Sequence, residues 1–227
     1  AKVIPAVVEF VDIAGLVNGA SNGEGLGNQF LAHIREVDAI VEVVRASEDG
    51  NIIHVEPSIN PNRDRDIIET ELFMADLATA EKATLRYEKE AKSGSKDARE
   101  RLDTARTITE NLKAGKRLPK ELTARARDMQ LLTTKPILYL YNTNEDNPKN
   151  DDPQKLYLNI KLEEELSRMS PEERIECGIV PHLQELTTRT YTLLGLISFF
   201  TTGEDETRAW TIPNDSTAKR AGRPIHS

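Results

Sequence analysis

Short apolar runs separated by long polar stretches set the first expectations for this chain. Val7-Val8-Glu9-Phe10-Val11 predicts a buried strand ending at Asp12, followed by a glycine-rich loop through Gly27. Asn28 to Glu36 has helical spacing, and Ala39-Ile40-Val41-Glu42-Val43-Val44 predicts a second, β-branched strand. Strand, loop, helix, strand in this order predicts an α/β fold with a parallel sheet. Residues 47–65 are polar and turn-rich, with Pro57 and Pro61. From Asp66 to Lys113 there is no proline, and Ala, Leu, Glu, Lys and Arg dominate. That texture predicts a helix over 66–92, a turn at 93–95 around Gly94, and a returning helix over 96–113 closed by Gly115 and Pro119. A short helix near 121–132 leads to a third buried strand, Pro136-Ile137-Leu138-Tyr139-Leu140-Tyr141. Three further helices follow: Glu163 to Met169, one opening at Ser170 with Pro171 in its first position, and His182 to Leu194. Beyond Gly203 the pattern alternates like short strands around Trp210. No internal repeat or low-complexity tract interrupts the series.

Composition narrows the class. A chain of 227 residues allows one large domain or two small ones, and 38% hydrophobic residues suffice for a core. The single cysteine, Cys177, excludes a disulfide framework and zinc spacing, which suits a reducing cytoplasm. There is no signal-like segment and no apolar run of about 18 residues, so no membrane association is expected. The net charge of −8 argues against general nucleic-acid binding. It is unevenly spread: Lys82 to Arg127 holds fourteen basic and seven acidic residues, a local +7 that leaves −15 for the remainder. A basic island in an acidic protein is a candidate electrostatic footprint. It reads equally as a solvated helical pair whose basic side chains pair with Glu88, Glu90, Glu100 and Glu110.

Candidate chemistry begins at Asp12-Ile13-Ala14-Gly15. In P-loop hydrolases an Asp at a strand end holds the magnesium shell, and a glycine three residues on offers its N–H to the γ-phosphate. Alone, D-x-x-G is also a strand ending in a turn. The continuation, Gly19-Ala20-Ser21-Asn22-Gly23-Glu24-Gly25-Leu26-Gly27-Asn28-Gln29-Phe30-Leu31, resembles the switch II segment of Obg-related hydrolases. Gly23, Gly25 and Gly27 lack the spacing of a dinucleotide fingerprint. A flexible linker is a poor alternative, because a helix with regular apolar spacing follows at once. Leu16 stands where many GTPases carry a water-orienting glutamine, and a leucine cannot hydrogen-bond water. After the third strand, Asn142-Thr143-Asn144-Glu145 replaces the guanine-reading N-K-x-D with N-x-x-E. Asn159-Ile160-Lys161 lies where a Ser-Ala-Lys base-side loop would be, with the serine replaced. The last block, Gly195 to Glu204 with Thr207-Arg208-Ala209-Trp210-Thr211-Ile212, closely resembles the junction into a TGS module in the YchF (Obg-like ATPase) family. The resemblance runs from about Val7 to Ser227.

The resemblance implies an α/β fold: an incomplete Ras-like P-loop NTPase sheet, an inserted α-helical hairpin, and the start of a ubiquitin-like TGS domain. The implied boundaries are 1–65 and 134–202 for the nucleotide domain, 66–133 for the hairpin and 203–227 for the partial TGS domain. It also implies ATP, with GTP as the alternative, hydrolysed with Mg²⁺. Asp12 would hold the magnesium shell, Gly15 the γ-phosphate, His54 the attacking water, and Asn142, Thr143 and Glu145 the base. The implied partner is the ribosome or its RNA, and the implied setting is a cytoplasmic monomer. No G-x-x-x-x-G-K-[ST] occurs in the 227 residues. The family places that motif several tens of residues before Asp12, so the chain is expected to be cut at both ends and inactive alone. The alternative reading is a non-hydrolysing helical and TGS module that binds ribosome or RNA. A helical adaptor with no hydrolase ancestry is a third.

Overall fold

The computed structural model describes residues 2–13, 26–47, 59–92, 94–144 and 151–225, which form two compact units. The first unit takes residues 1–12, 41–61 and 136–227; the second takes 13–40 and 62–135.

The second unit is helical. Helix α1 spans Leu26–Glu36, and α2 spans Pro61–Ala91. The α2 helix starts five residues earlier than its texture predicts, because Pro61 occupies the first helical position, where its missing N–H costs nothing. Helix α3, Lys96–Lys113, returns as expected. Beyond it, Gly115 adopts φ +66°, and the N–H groups of Gly115 and Lys116 donate to the carbonyls of Leu112 and Asn111 at 3.0 and 2.9 Å. This Schellman closure needs a left-handed residue, which glycine supplies without strain. The predicted helix near 121–132 is a short α4, Lys120–Arg125, followed by single 3₁₀ turns at Arg127–Met129 and Leu132–Thr134.

One apolar stripe from each long helix makes the hairpin core. Ala80, Ala83 and Tyr87 of α2 pack with Leu102, Ala105, Ile108 and Leu112 of α3, sealed by Ala126, Met129 and Leu131. A second cluster joins Leu31 and Ile34 of α1 to Leu72, Ala75 and Leu132. Asp76 is buried between them. Its carboxylate accepts from the N–H groups of Leu132 and Thr133 at 2.7 and 2.8 Å and from the Thr133 hydroxyl at 2.7 Å. Lys135 donates from Nζ to the carbonyls of Arg35 and Val37, capping the carboxyl end of α1.

The first unit holds two three-stranded sheets. In one, β2 (Ile40–Arg45), β3 (Ile137–Asn142) and β4 (Lys155–Leu158) lie in that order, with β3 and β4 parallel. Leu138, Leu140, Leu156 and Leu158 face one side, where Leu186 and Leu193 cover them. Tyr139, Tyr141 and Val44 are buried on the other. Both faces are thus covered, as parallel sheets require. After β4 come α5 (Ile160–Ser167), α6 (Pro171–Glu176) and α7 (Leu183–Leu193). The expected start at Ser170 is a full capping box: the Ser170 hydroxyl accepts from Glu173 N–H, and the Glu173 carboxylate accepts from Ser170 N–H.

The other sheet has order β1–β6–β5, with β1 at Lys2–Ile4, β5 at Leu196–Thr202 and β6 at Glu206–Pro213. The β5 and β6 strands form an antiparallel hairpin, and β1 pairs parallel to β6. A short α8, Ala218–Ala221, follows.

The expected strand at Val7–Val11 does not form. Residues 5–13 are irregular, and Val7, Phe10 and Val11 are exposed. Apolar β-branched residues fit a pleated surface but do not make a strand without a neighbour to complete the ladder. The amino-terminal pairing is made instead by Lys2–Ile4, against β6.

Candidate nucleotide-base site

The third strand delivers Asn142 to the carboxyl end of a parallel pair, where ligands of open α/β sheets bind. Asn142 lies in register with Leu158, the last residue of β4. One residue on, the Thr143 N–H donates to the Leu158 carbonyl at 3.0 Å. The chain then turns into α5 through Asn159, whose side-chain oxygen accepts from Leu162 N–H at 3.0 Å, an N-cap bond that asparagine favours. The two asparagines tie the two loops together. Asn142 Oδ1 accepts from Ile160 N–H at 3.2 Å, and Asn159 Nδ2 donates to the Asn144 carbonyl at 3.5 Å. From the β2 side, the Ala46 N–H donates to the Asn142 carbonyl at 2.9 Å, and the Ser47 hydroxyl reaches the same oxygen at 3.4 Å. Two other stretches of chain, 46–47 and 158–160, therefore converge on the segment of Asn142.

The platform beneath is rigidly built. Tyr141 and Tyr157, cross-strand partners, stack with centroids 4.7 Å apart and planes 14° from parallel. Glu163, buried in α5, accepts from the N–H groups of His182 and Leu183 at 2.7 and 3.1 Å at the start of α7, where the helix dipole favours a negative charge. Arg189 of α7 pairs with Glu185 and donates to the Asp152 carbonyl ahead of β4 and to the Lys155 carbonyl at its start. None of β4, the Tyr141–Tyr157 stack or the Glu163 bracket was foreseen. The four-residue β4 is too short for a period-two pattern to stand out, although Asn159 before Ile160-Lys161-Leu162 does carry a cap signal.

Of the residues picked from sequence, Asn142 and Thr143 come together here, both half-buried beside the start of α5. Asp12 is exposed on the irregular 5–13 stretch and does not sit at a strand end as expected. Gly15, Leu16, His54 and Glu145 lie outside the described residues. Among the described residues, no group of three or more His, Cys, Asp or Glu side chains is placed to hold a metal ion. A magnesium ion carried by phosphates needs only one or two protein carboxylates, and the exposed carboxylate of Asp12 fits that role chemically. No helix among the described residues is long and apolar enough to cross a membrane.

Residues 196–227, which hold β5, β6 and α8, match the YchF-GTPase_C family, described as a protein of unknown function (DUF933). Residues 2–72 match the MMR_HSR1 family, described as a 50S ribosome-binding GTPase. The whole chain aligns with the ribosome-binding ATPase YchF of Escherichia coli O157:H7 at 41% identity, spanning 69% of that protein. It aligns equally fully with the protein of the same name from Bacillus subtilis strain 168 at 38% identity, again over 69% of the relative. The solved structure of the Schizosaccharomyces pombe YchF GTPase superposes with a TM-score of 0.81 at 33% identity, covering 99% of this chain and 68% of that one. The chain belongs to the YchF family. The α/β architecture with its parallel strands is the YchF fold, as the composite reading of strand, hairpin and carboxyl-terminal module anticipated. The Asn142–Thr143 site falls between the two matched family segments, so its reading rests on geometry and on the N-x-x-E pattern.

Proposed function

We propose that this YchF-family chain belongs to a cytoplasmic, ribosome-associated ATPase, with 1–65 and 134–202 as its nucleotide domain, 66–133 as an inserted hairpin and 203–227 as the start of a TGS domain. The observation that carries the proposal is the Asn142–Thr143 pair, locked to the start of α5 at the carboxyl end of β3. Asn142, Thr143 and Glu145 serve the base, and Asn142 also braces the base-side loop. Glu145 stands where guanine readers have an aspartate, and no lysine follows Asn142, which favours adenine over guanine. Gly15 offers a backbone N–H to the γ-phosphate, and its lack of a side chain allows the close approach. His54 orients the attacking water, the task that Leu16 cannot perform. Asp12 would hold the water shell of Mg²⁺, which would supply charge neutralisation for the phosphates. The protein works as a monomer that switches on the ribosome.

The phosphate cradle is absent from these 227 residues, so this chain alone is expected to release no phosphate from millimolar ATP with Mg²⁺. The deciding experiment is competition between ATP and GTP for the chain joined to an upstream P-loop segment. ATP should bind more tightly. GTP bound tenfold more tightly, about 1.4 kcal/mol, would overturn the base-site reading.

A further inference from the structure

The corner where β4 turns into α5 engages most of its hydrogen-bond donors inside the protein. Of the first four N–H groups of α5, three are taken: Ile160 donates to Asn142 Oδ1 at 3.2 Å, Leu162 to Asn159 Oδ1 at 3.0 Å and Glu163 to the Asn159 carbonyl at 3.0 Å. Across the corner, the Thr143 N–H donates to the Leu158 carbonyl at 3.0 Å, and Asn159 Nδ2 donates to the Asn144 carbonyl at 3.5 Å. The side-chain oxygens stand differently. A carboxamide oxygen has two lone pairs, so Asn142 Oδ1 and Asn159 Oδ1 can each take a second donor. Asn159 is half-buried and takes part in both patterns. One end of its side chain caps α5, and the other ties α5 to the segment that carries Asn142. A serine here would have a single hydroxyl for the two tasks.

We infer that Asn159 is a positioning residue of the proposed base site and biases it against guanine; the inference rests on the base-site reading above. Guanine carries an acceptor, O6, where adenine carries a donor, the N6 amino group. A guanine entering this corner brings an oxygen to a place where most N–H groups are already engaged. An acceptor that loses water and gains no partner costs its desolvation. An adenine brings a donor to a place with two carboxamide oxygens. By holding segment 142–144 to the start of α5, Asn159 keeps the Ile160 N–H on Asn142 and away from the ligand.

The test uses the chain joined to an upstream P-loop segment and displaces a fluorescent nucleotide with ATP and with GTP. Asn159→Ser keeps an N-cap oxygen for the Leu162 N–H but removes the carboxamide; Asn159→Ala removes both. The serine variant should melt within about 2 °C of the parent. It should bind ATP about three- to tenfold more weakly and GTP within about twofold of the parent, so that the ratio between them narrows. The alanine variant should narrow the ratio as far and also lower the midpoint, because the cap is lost as well. A residue that only caps the helix would leave the serine variant equal to the parent for both nucleotides, and that result overturns the inference. Equal losses of ATP and GTP in the serine variant would overturn its part in base choice. The two readings fail separately. A parent that binds GTP more tightly than ATP overturns the adenine reading. A parent that prefers ATP, with a ratio unmoved by Asn159→Ser, overturns the role of Asn159 alone.

Discussion

The hairpin and the carboxyl end of the β2–β3–β4 sheet are both pinned by polar side chains, in opposite circumstances. Asp76 is buried, and its carboxylate takes three donors from the segment that returns behind α2. Asn142 and Asn159 are half-buried at a sheet end, and each makes bonds that water could replace. A buried polar group that loses its partner costs its full desolvation, whereas a solvated one costs little. The hairpin therefore uses polarity to fix its buried fold, whereas at the sheet end it joins two half-exposed loops.

The sharpest way to break this contrast is Asp76→Ala. It strands the N–H groups of Leu132 and Thr133, and Leu132 is 0% exposed. The expected loss is about 3 kcal/mol, a drop of roughly 12–24 °C in the melting midpoint of the helical unit. A change under about 1 kcal/mol would show that the segment finds other acceptors. Asn142→Ala should do the reverse: less than about 1 kcal/mol in stability, but about tenfold, or 1.4 kcal/mol, in nucleotide affinity of the chain carrying a P-loop. Calorimetric titration and thermal melting of one sample separate the two. Equal falls in both would make Asn142 a scaffold residue.

Ser170→Ala sets the scale for a cap outside both regions. Helix α6 has no buried residue, so losing the Ser170 cap should cost about 1 kcal/mol locally. It should appear as faster amide exchange at Arg174 and Cys177, whose N–H groups bond to Ser170 and Glu173, with little change in the global midpoint. An unchanged exchange rate would mean the Pro171 start is sufficient.

The smallest expected effect is a pH dependence at Asp76. Burial raises its carboxyl above the usual 3.8, although the donors from Leu132 and Thr133 pull the other way. A carboxyl raised in the folded state binds more protons folded than unfolded, so its contribution is most favourable below the ordinary value. It declines as pH rises from there through the raised value and is flat above. Asp76→Asn should remove that slope from urea midpoints measured across the acid range. A slope that survives belongs to other carboxyls.

The helices were legible because their determinants are local. The stripe Leu102, Ala105, Ile108, Leu112 has helical period, Gly94 and Gly115 mark the turns, and α3 falls on its predicted residues. Pro61 showed where α2 begins, yet the polar composition of 47–65 concealed it. Strands were legible only where the sheet completed them: Ile137–Asn142 gained neighbours on both sides, and Val7–Val11, equally apolar, gained none among the described residues. In the site, N-x-x-E could be seen as a motif after a strand. The bond from Ile160 N–H to Asn142 could not, because it joins residues eighteen apart across a pairing that no local pattern encodes.

What the sequence by itself determined is the family, through switch-like glycines and the Gly195–Ile212 block, and the helical hairpin, through period and turn residues. These properties are carried by neighbours along the chain, within reach of one turn or one loop. Only the tertiary structure decided which carboxylates the hairpin arginines occupy and which two other stretches meet the segment of Asn142. Those outcomes depend on which side chains the fold brings within bonding distance, and residues such as Glu100 and Arg125, or Ser47 and Asn142, meet only after the helices and strands have packed.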